Sequence, residues 1–213
     1  MTQRNKAGIR VALHVPYNAN STDVSAQVLQ LKAARADAVI FVSYTADTIL
    51  YMKTLKTLDY LPPIIIGDDA GFSDSSFIPA VGHIAQGVFD RSAWDIGEPG
   101  SNTFRINEMF KTKTGRDLDD TSARWLQGFL VLADAIDRAG SRDPAKIQQA
   151  LRQTDLKTNQ LVIGYNGVRF DETGQNILSA TYLIQLQGKA YKSVWPRQRA
   201  SSTLTFPITG WKQ

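Results

Sequence analysis

The chain has 213 residues, 43% of them hydrophobic and 21% charged, which is ordinary for a globular protein and long enough to bury a core. It has no cysteine, which excludes disulfides and thiolate metal sites. The net charge of +4 is scattered, and its densest basic cluster (Lys189, Lys192, Arg197, Arg199) reads as a solvated face rather than a nucleic-acid surface.

Taken in chain order, Ile9 to Val15 is a short apolar run ending at Pro16 and predicts a buried strand. Ser21 or Thr22 can cap a helix with Val24, Val28 and Leu31 on one face, up to Ala34. Asp37 to Ser43 is β-branched and strand-like. Thr45 to Leu58 fits an amphipathic helix through Ile49, Met52 and Leu55, stopped by Pro62-Pro63. Ile64 to Ile66 predicts a further strand ending at Gly67, and Gln86 to Phe89 another. Strands alternating with helices of this length predict an α/β layered fold with a mostly parallel sheet.

After Trp94 the pattern turns helical. Ser101 can cap a helix through Phe104, Ile106, Met109 and Phe110, closed by Gly115. Asp119 to Ala139 is the longest helical stretch, with Trp125, Phe129, Leu132, Ala133 and Ile136 on one stripe and Gly140 at its end. Asp143 caps a third helix, with Pro144 at its first position. The remaining strand-like pieces are Leu161 to Ile163, Thr181 to Gln187 and Ala190 to Trp195, the last two joined by a turn at Gly188-Lys189. No apolar run approaches the ~20 residues that a spanning helix needs. Met1 is followed by Thr-Gln-Arg-Asn-Lys and then by the strand pattern, so no signal peptide is expected in this chain.

Phosphate loops, dinucleotide turns and nucleophile elbows are absent from the sequence. His14 and His83 stand far apart and in no ligand spacing, so a nucleophile–base pair and a metal site are not expected, and no cofactor is called for. Asp119-Asp120 reads as a cap for the long helix. Gly164 to Asn176 (GYNGVRFDETGQN) lacks the acid spacing of a cation loop and reads as a tight turn. The tail aromatics Tyr182, Tyr191, Trp195, Phe206 and Trp211 recur too irregularly for base stacking and read as packing. Asp68-Asp69 is different. It follows the strand IIIG, while Tyr44-Thr45 follows the neighbouring strand VIFVS. Both pairs therefore fall at carboxyl ends of parallel strands, where open α/β sheets bind ligands. Carboxylates there suit an ammonium group, and the tyrosine suits an apolar wall. The competing reading is a loop turn in which Asp68, Asp69 and Gly71 satisfy their own backbone.

Three stretches carry a resemblance: LKAARADAVIF (Leu31 to Phe41), LADAIDRAGSRDPAKIQQAL, and GVRFDETGQN followed by Gln185 and VWP. In that order and spacing they resemble the solute-binding proteins of branched-chain amino acid ABC importers, the Leu/Ile/Val-binding family with the type I periplasmic binding fold. The resemblance implies a clamshell of two α/β lobes joined by three crossovers, which traps an amino acid and docks on a membrane permease. Residues 1–93 would be the later part of the second lobe, 94–179 a helical segment returning to the first, and 180–213 the closing strands and hinge tail. Residues matching Tyr44 and Asp69 would contact the ligand, the acid pairing with its amino group, and Ala123 would form a wall. The resemblance also implies a periplasmic location and a chain that represents only the latter part of such a protein. The first strand–helix unit of the second lobe would be missing, which predicts self-association or dependence on a complementary piece. Two other functions stay open: a cytoplasmic amide or amino-acid sensor of the same fold, and a magnesium-binding acidic pocket of the receiver or phosphatase kind.

Overall fold

The computed structural model describes residues 7–68 and 70–211. A five-stranded sheet of order β1-β2-β3-β6-β7 organises the first part of the chain and its tail. β1 (Ala38–Phe41), β2 (Ile64–Gly67) and β3 (Phe89–Ser92) run parallel, in register Ala38–Ile64 and Ile66–Phe89. β6 (Tyr182–Gln187) and β7 (Ala190–Trp195) form the expected hairpin. Gly188 turns it at φ +68°, in the left-handed region that favours glycine. β6 pairs antiparallel with β3, so residues about a hundred positions apart close one sheet.

The strands sort their side chains by the two-residue period. In β1 Val39 and Phe41 face the core, while Ile40, and Val42 just past its end, stay 63% and 62% exposed. Helix α1 (Ser25–Ala34) contributes Val28 to the inner face. Helix α2 (Thr45–Thr57) contributes Thr48, Tyr51, Met52 and Leu55, spaced as one helical stripe. The short helices α3 (Ala70–Ser73) and α4 (Phe77–Val81) bring in Phe72 and Phe77, both fully buried. Their rings sit 5.1 Å apart, tilted at 54°.

The helical part has separate small cores. Helix α5 (Asn102–Thr114) starts where Ser101 Oγ accepts from Phe104 N at 3.1 Å, and ends at Gly115 in the left-handed conformation. Asp119 caps α6 (Asp120–Ala139) by accepting from Ser122 N at 2.7 Å, and Gly140 closes it. Asp143 caps α7 (Pro144–Arg152), with Pro144 in the first turn. β4 (Asp155–Lys157) and β5 (Gly167–Arg169) form a two-stranded ribbon. Ala93, Trp94, Leu118, Ala123, Val162 and Ile163 form one core here, and Val131, Leu161 and Val168 another.

Three expectations are corrected. Ile9 to Val15 is not a buried strand: no ladder pairs it among the described residues, and Ile9, Val11 and Leu13 are exposed. An extended segment becomes a strand only when a neighbour takes its backbone bonds, and none lies beside it here. Leu161 to Ile163 is buried but irregular, because its backbone is used by side chains and loops. Val162 N donates to Gln127 Oε1 at 2.8 Å. On α6, the buried face is Ala123, Gln127, Val131 and Ala135, while Trp125 and Phe129 of the expected apolar stripe are 77% and 67% exposed. Small residues let α6 approach its neighbours closely; the larger stripe has no surface to meet among the described residues.

Candidate functional site

The carboxyl ends of β1, β2 and β3 lie side by side and present three groups. Tyr44 follows β1, is 62% exposed, and stands at the N-cap position of α2, with Thr45 half-buried in the first turn. Asp68 follows β2, where its N–H donates to Phe41 O at 2.9 Å and so ties it to the end of β1. Asp68 Oδ1 accepts from Arg91 Nε on β3 at 2.6 Å. The bond to Asp68 holds the Arg91 guanidinium above its ordinary value. Asp69 lies outside the described residues.

Close packing underneath holds these ends together. Ser43 and Thr48 share a buried hydroxyl–hydroxyl bond of 2.6 Å that joins the end of β1 to α2. Gly71 on α3 sits against them: a Cβ there would run into Thr48 Oγ1 and the Ser43 carbonyl. Only glycine lets α3 come this near to the end of β1. Tyr191 on β7 pins α3 from the other side, its hydroxyl donating to Phe72 O at 2.8 Å.

Asp120 joins this region to the helical part. One of its carboxylate oxygens accepts from Ser92 Oγ at 2.9 Å and Ala93 N at 2.7 Å, and the other from Arg124 Nε at 2.7 Å. Arg124 continues to Tyr165 Oη at 2.7 Å. Asp119 caps α6 as expected, whereas Asp120 fastens its first turn to the end of β3. Ala123 is completely buried beside Trp94 and Val162.

One charged group was not singled out from the sequence. Asp90 on β3 is fully buried, and burial pushes its carboxyl up to about 8. Its Oδ1 accepts the short-range N–H of Arg91 at 2.8 Å, the Ser73 side chain also hydrogen-bonds toward the carboxyl, and among the described residues Oδ2 has no hydrogen-bond partner. The signal was an acid directly after the apolar Val88-Phe89 within a strand.

His14 and His83 are both exposed. Among the described residues no group of three histidine, cysteine or acidic side chains is arranged to hold a metal ion. No helix among them is long and apolar enough to cross a membrane. An open apolar hollow of about 480 Å³ runs along α6, lined by Thr121, Arg124, Trp125, Gly128, Phe129 and Leu132, and it includes none of the strand-end residues.

An open α/β sheet with polar and charged groups gathered past the carboxyl ends of its parallel strands is the arrangement of a ligand-binding α/β protein. The chain belongs to the periplasmic binding protein family, whose model matches residues 3–191. It is 29% identical over 207 residues to Leu/Ile/Val-binding protein homolog 7 of Brucella abortus (strain 2308), a match that covers 95% of this chain and 52% of that protein. Leu/Ile/Val-binding protein homolog 8 of the same organism is 29% identical over 205 residues, covering 94% and 51%. The chain therefore spans about half the length of the curated relatives it matches. The fold is shared with the leucine binding protein of Thermotoga maritima MSB8, with TM-score 0.70 and 21% identity over 83% of this chain and 49% of that one. It is shared too with the closed leucine-, isoleucine-, valine-, threonine- and alanine-binding protein of Brucella ovis, with TM-score 0.70 and 17% identity over 96% and 50%. The α/β architecture of the type I periplasmic binding proteins is thus present in part.

Proposed function

We propose that this chain carries one side of an amino-acid site and serves as the substrate-binding component of an ABC importer, delivering its ligand to a membrane permease from the periplasm. The observation that carries the reading is the meeting of Tyr44, Thr45 and the Asp68–Arg91 pair at adjacent strand ends. Relatives named as Leu/Ile/Val-binding proteins support a branched-chain or related amino acid as the ligand. Tyr44 would wall the apolar side chain. Asp68 would receive the ammonium group in exchange for part of its bond to Arg91, with Asp69 as the second acid on the strength of its sequence position alone. Residues 1–93 and 180–213 would belong to one lobe and 94–179 to the other.

The test is equilibrium binding of leucine, isoleucine and valine, with glutamate and glucose as controls, to the chain and to Tyr44→Ala, Asp68→Asn and Asp69→Asn variants. The reading expects selective binding of the branched-chain amino acids, weakened by about 1.5–3 kcal/mol on loss of the acid that pairs with the ammonium. Equal responses to glutamate and leucine, or unchanged affinity in all three variants, would refute it.

A further inference from the structure

Asp90 occupies an unusual position for an acid. It lies on the central strand β3, fully buried, under α3 and beside the start of α6. Its ladder neighbours, Gly67 on β2 and Ile184 on β6, bring no charge, and the polar groups near it come from four elements. From β3 itself come the Arg91 N–H, which Asp90 accepts at 2.8 Å, and the Arg91 side chain, which is turned to Asp68 instead. α3 contributes Ser73, whose side chain hydrogen-bonds toward the carboxyl, and Phe72. β7 contributes Tyr191, whose hydroxyl is committed to Phe72 O. α6 contributes Asp120, a second acid whose charge disfavours another beside it, itself bound to Arg124. Among the described residues no cation makes an ion pair with Asp90: Arg91 pairs with Asp68 and Arg124 with Asp120. The buried Oδ2, with no protein partner among the described residues, adds to this, because an ionised carboxylate with an unpaired buried oxygen is costlier than a neutral acid in the same place.

We propose that Asp90 is a proton-held latch beneath α3: while the carboxyl is neutral, α3 lies closed on the strand ends, and each opening that lifts α3 uncovers the acid and releases its proton. The latch acts on the region that holds Asp68 and Tyr44, so its bearing on ligand capture rests on the function proposed above; the latch itself does not. Tyr191 follows the same logic from the opposite side. Its hydroxyl is raised well above the ordinary tyrosine value chiefly by burial, so it remains a donor to Phe72 O across the working range.

Linkage fixes the direction of the effect. Opening exchanges a buried acid that titrates at about 8 for an exposed one near 3.8. Opening therefore becomes easier as pH rises between those values and levels off above the upper one. The experiment is amide hydrogen exchange at Ala70–Ser73 in the full chain from pH 5 to 9, corrected for the intrinsic rate. Titration of the Asp90 carboxyl by carbon-13 NMR accompanies it in the same chain. The latch predicts protection that falls up to tenfold per pH unit below about 8 and then flattens. It also predicts a carboxyl resonance that titrates well above those of the exposed acids, and pH-independent protection in Asp90→Asn. An Asp90 resonance titrating with the exposed carboxylates, or protection of α3 that does not change with pH in the native chain, would overturn it. Both measurements need no variant, so a misfolded Asp90→Asn leaves the test intact. Neither uses a ligand, so their failure is separate from failure of the amino-acid reading.

Discussion

Replacing Gly71 by alanine isolates the close approach that brings α3 to the end of β1. Two effects oppose each other. In a helix, alanine is favoured over glycine by about 0.5–1 kcal/mol. Against this, the added Cβ would meet Thr48 Oγ1 and the Ser43 carbonyl. A hydroxyl can rotate away, but the carbonyl belongs to the backbone that ends β1, so α3 itself must shift. Overpacking of this kind costs about 1–3 kcal/mol. Because α3 has only four residues, its propensity gain falls at the lower limit, and the clash wins by about 1–2 kcal/mol. Gly128 on α6 is the internal control: a Cβ there meets nothing within 4 Å, so Gly128→Ala should stabilise by about 0.5–1 kcal/mol. Urea unfolding of the two variants beside the native chain reads both signs in one assay. If Gly71→Ala stabilises as Gly128→Ala does, the packing of α3 against β1 is wrong, and with it the placing of Asp68 beside Tyr44.

Further outcomes follow from the same geometry. Below about pH 4 the native and unfolded chains both hold a proton at Asp90. Between there and about pH 8 only the native chain does, so this group's contribution to stability falls by about 1.4 kcal/mol per pH unit as pH rises, and Asp90→Asn removes that slope in denaturation curves. A wild-type stability that rises over pH 5–8 relative to the variant contradicts the buried acid. Asp120→Ala strips acceptors from Ser92, Ala93 and Arg124 and should lower stability by about 1.5–3 kcal/mol by thermal unfolding; a loss under 0.5 would mean the tie between β3 and α6 is idle. Trp125→Ser with Phe129→Ser removes exposed apolar surface, so stability should change by about 0.5 kcal/mol or less per site, while any association seen in sedimentation should weaken. A large loss of stability would place these rings in a core.

Most of the capping chemistry was legible in the sequence, because it is local; the exception is α1, where Ser21 or Thr22 was expected to cap but the helix starts after Val24 with no side-chain cap bond. Ser101, Asp119 and Asp143 each satisfy an N–H within three residues, and Gly115 and Gly140 each end a helix where left-handed backbone is needed. Strand ends were legible for a related reason: IIIG and VIFVS place Asp68 and Tyr44 wherever the parallel pair forms, and register does the rest. What failed depends on distant surfaces. Ile9 to Val15 has the composition of a strand, yet a ladder needs a neighbour, and composition does not supply one. Both faces of α6 are apolar enough to be buried, and the choice between Trp125–Phe129 and Ala123–Val131 was made by the neighbours of the smaller face. The Arg91 partner of Asp68, 23 positions away, and the isolation of Asp90 arise only when β2, β3 and α3 stack.

The central claim, that the strand ends grip an amino acid, is tested most directly by amide NMR of the isotope-labelled chain titrated with leucine. The account predicts concentration-dependent shifts confined to Tyr44, Thr45, Asp68 and Arg91 and their neighbours in sequence, absent with glutamate. Shifts that instead cluster along α6 at Trp125, Gly128 and Phe129, or no saturable shift at high millimolar leucine, would contradict it.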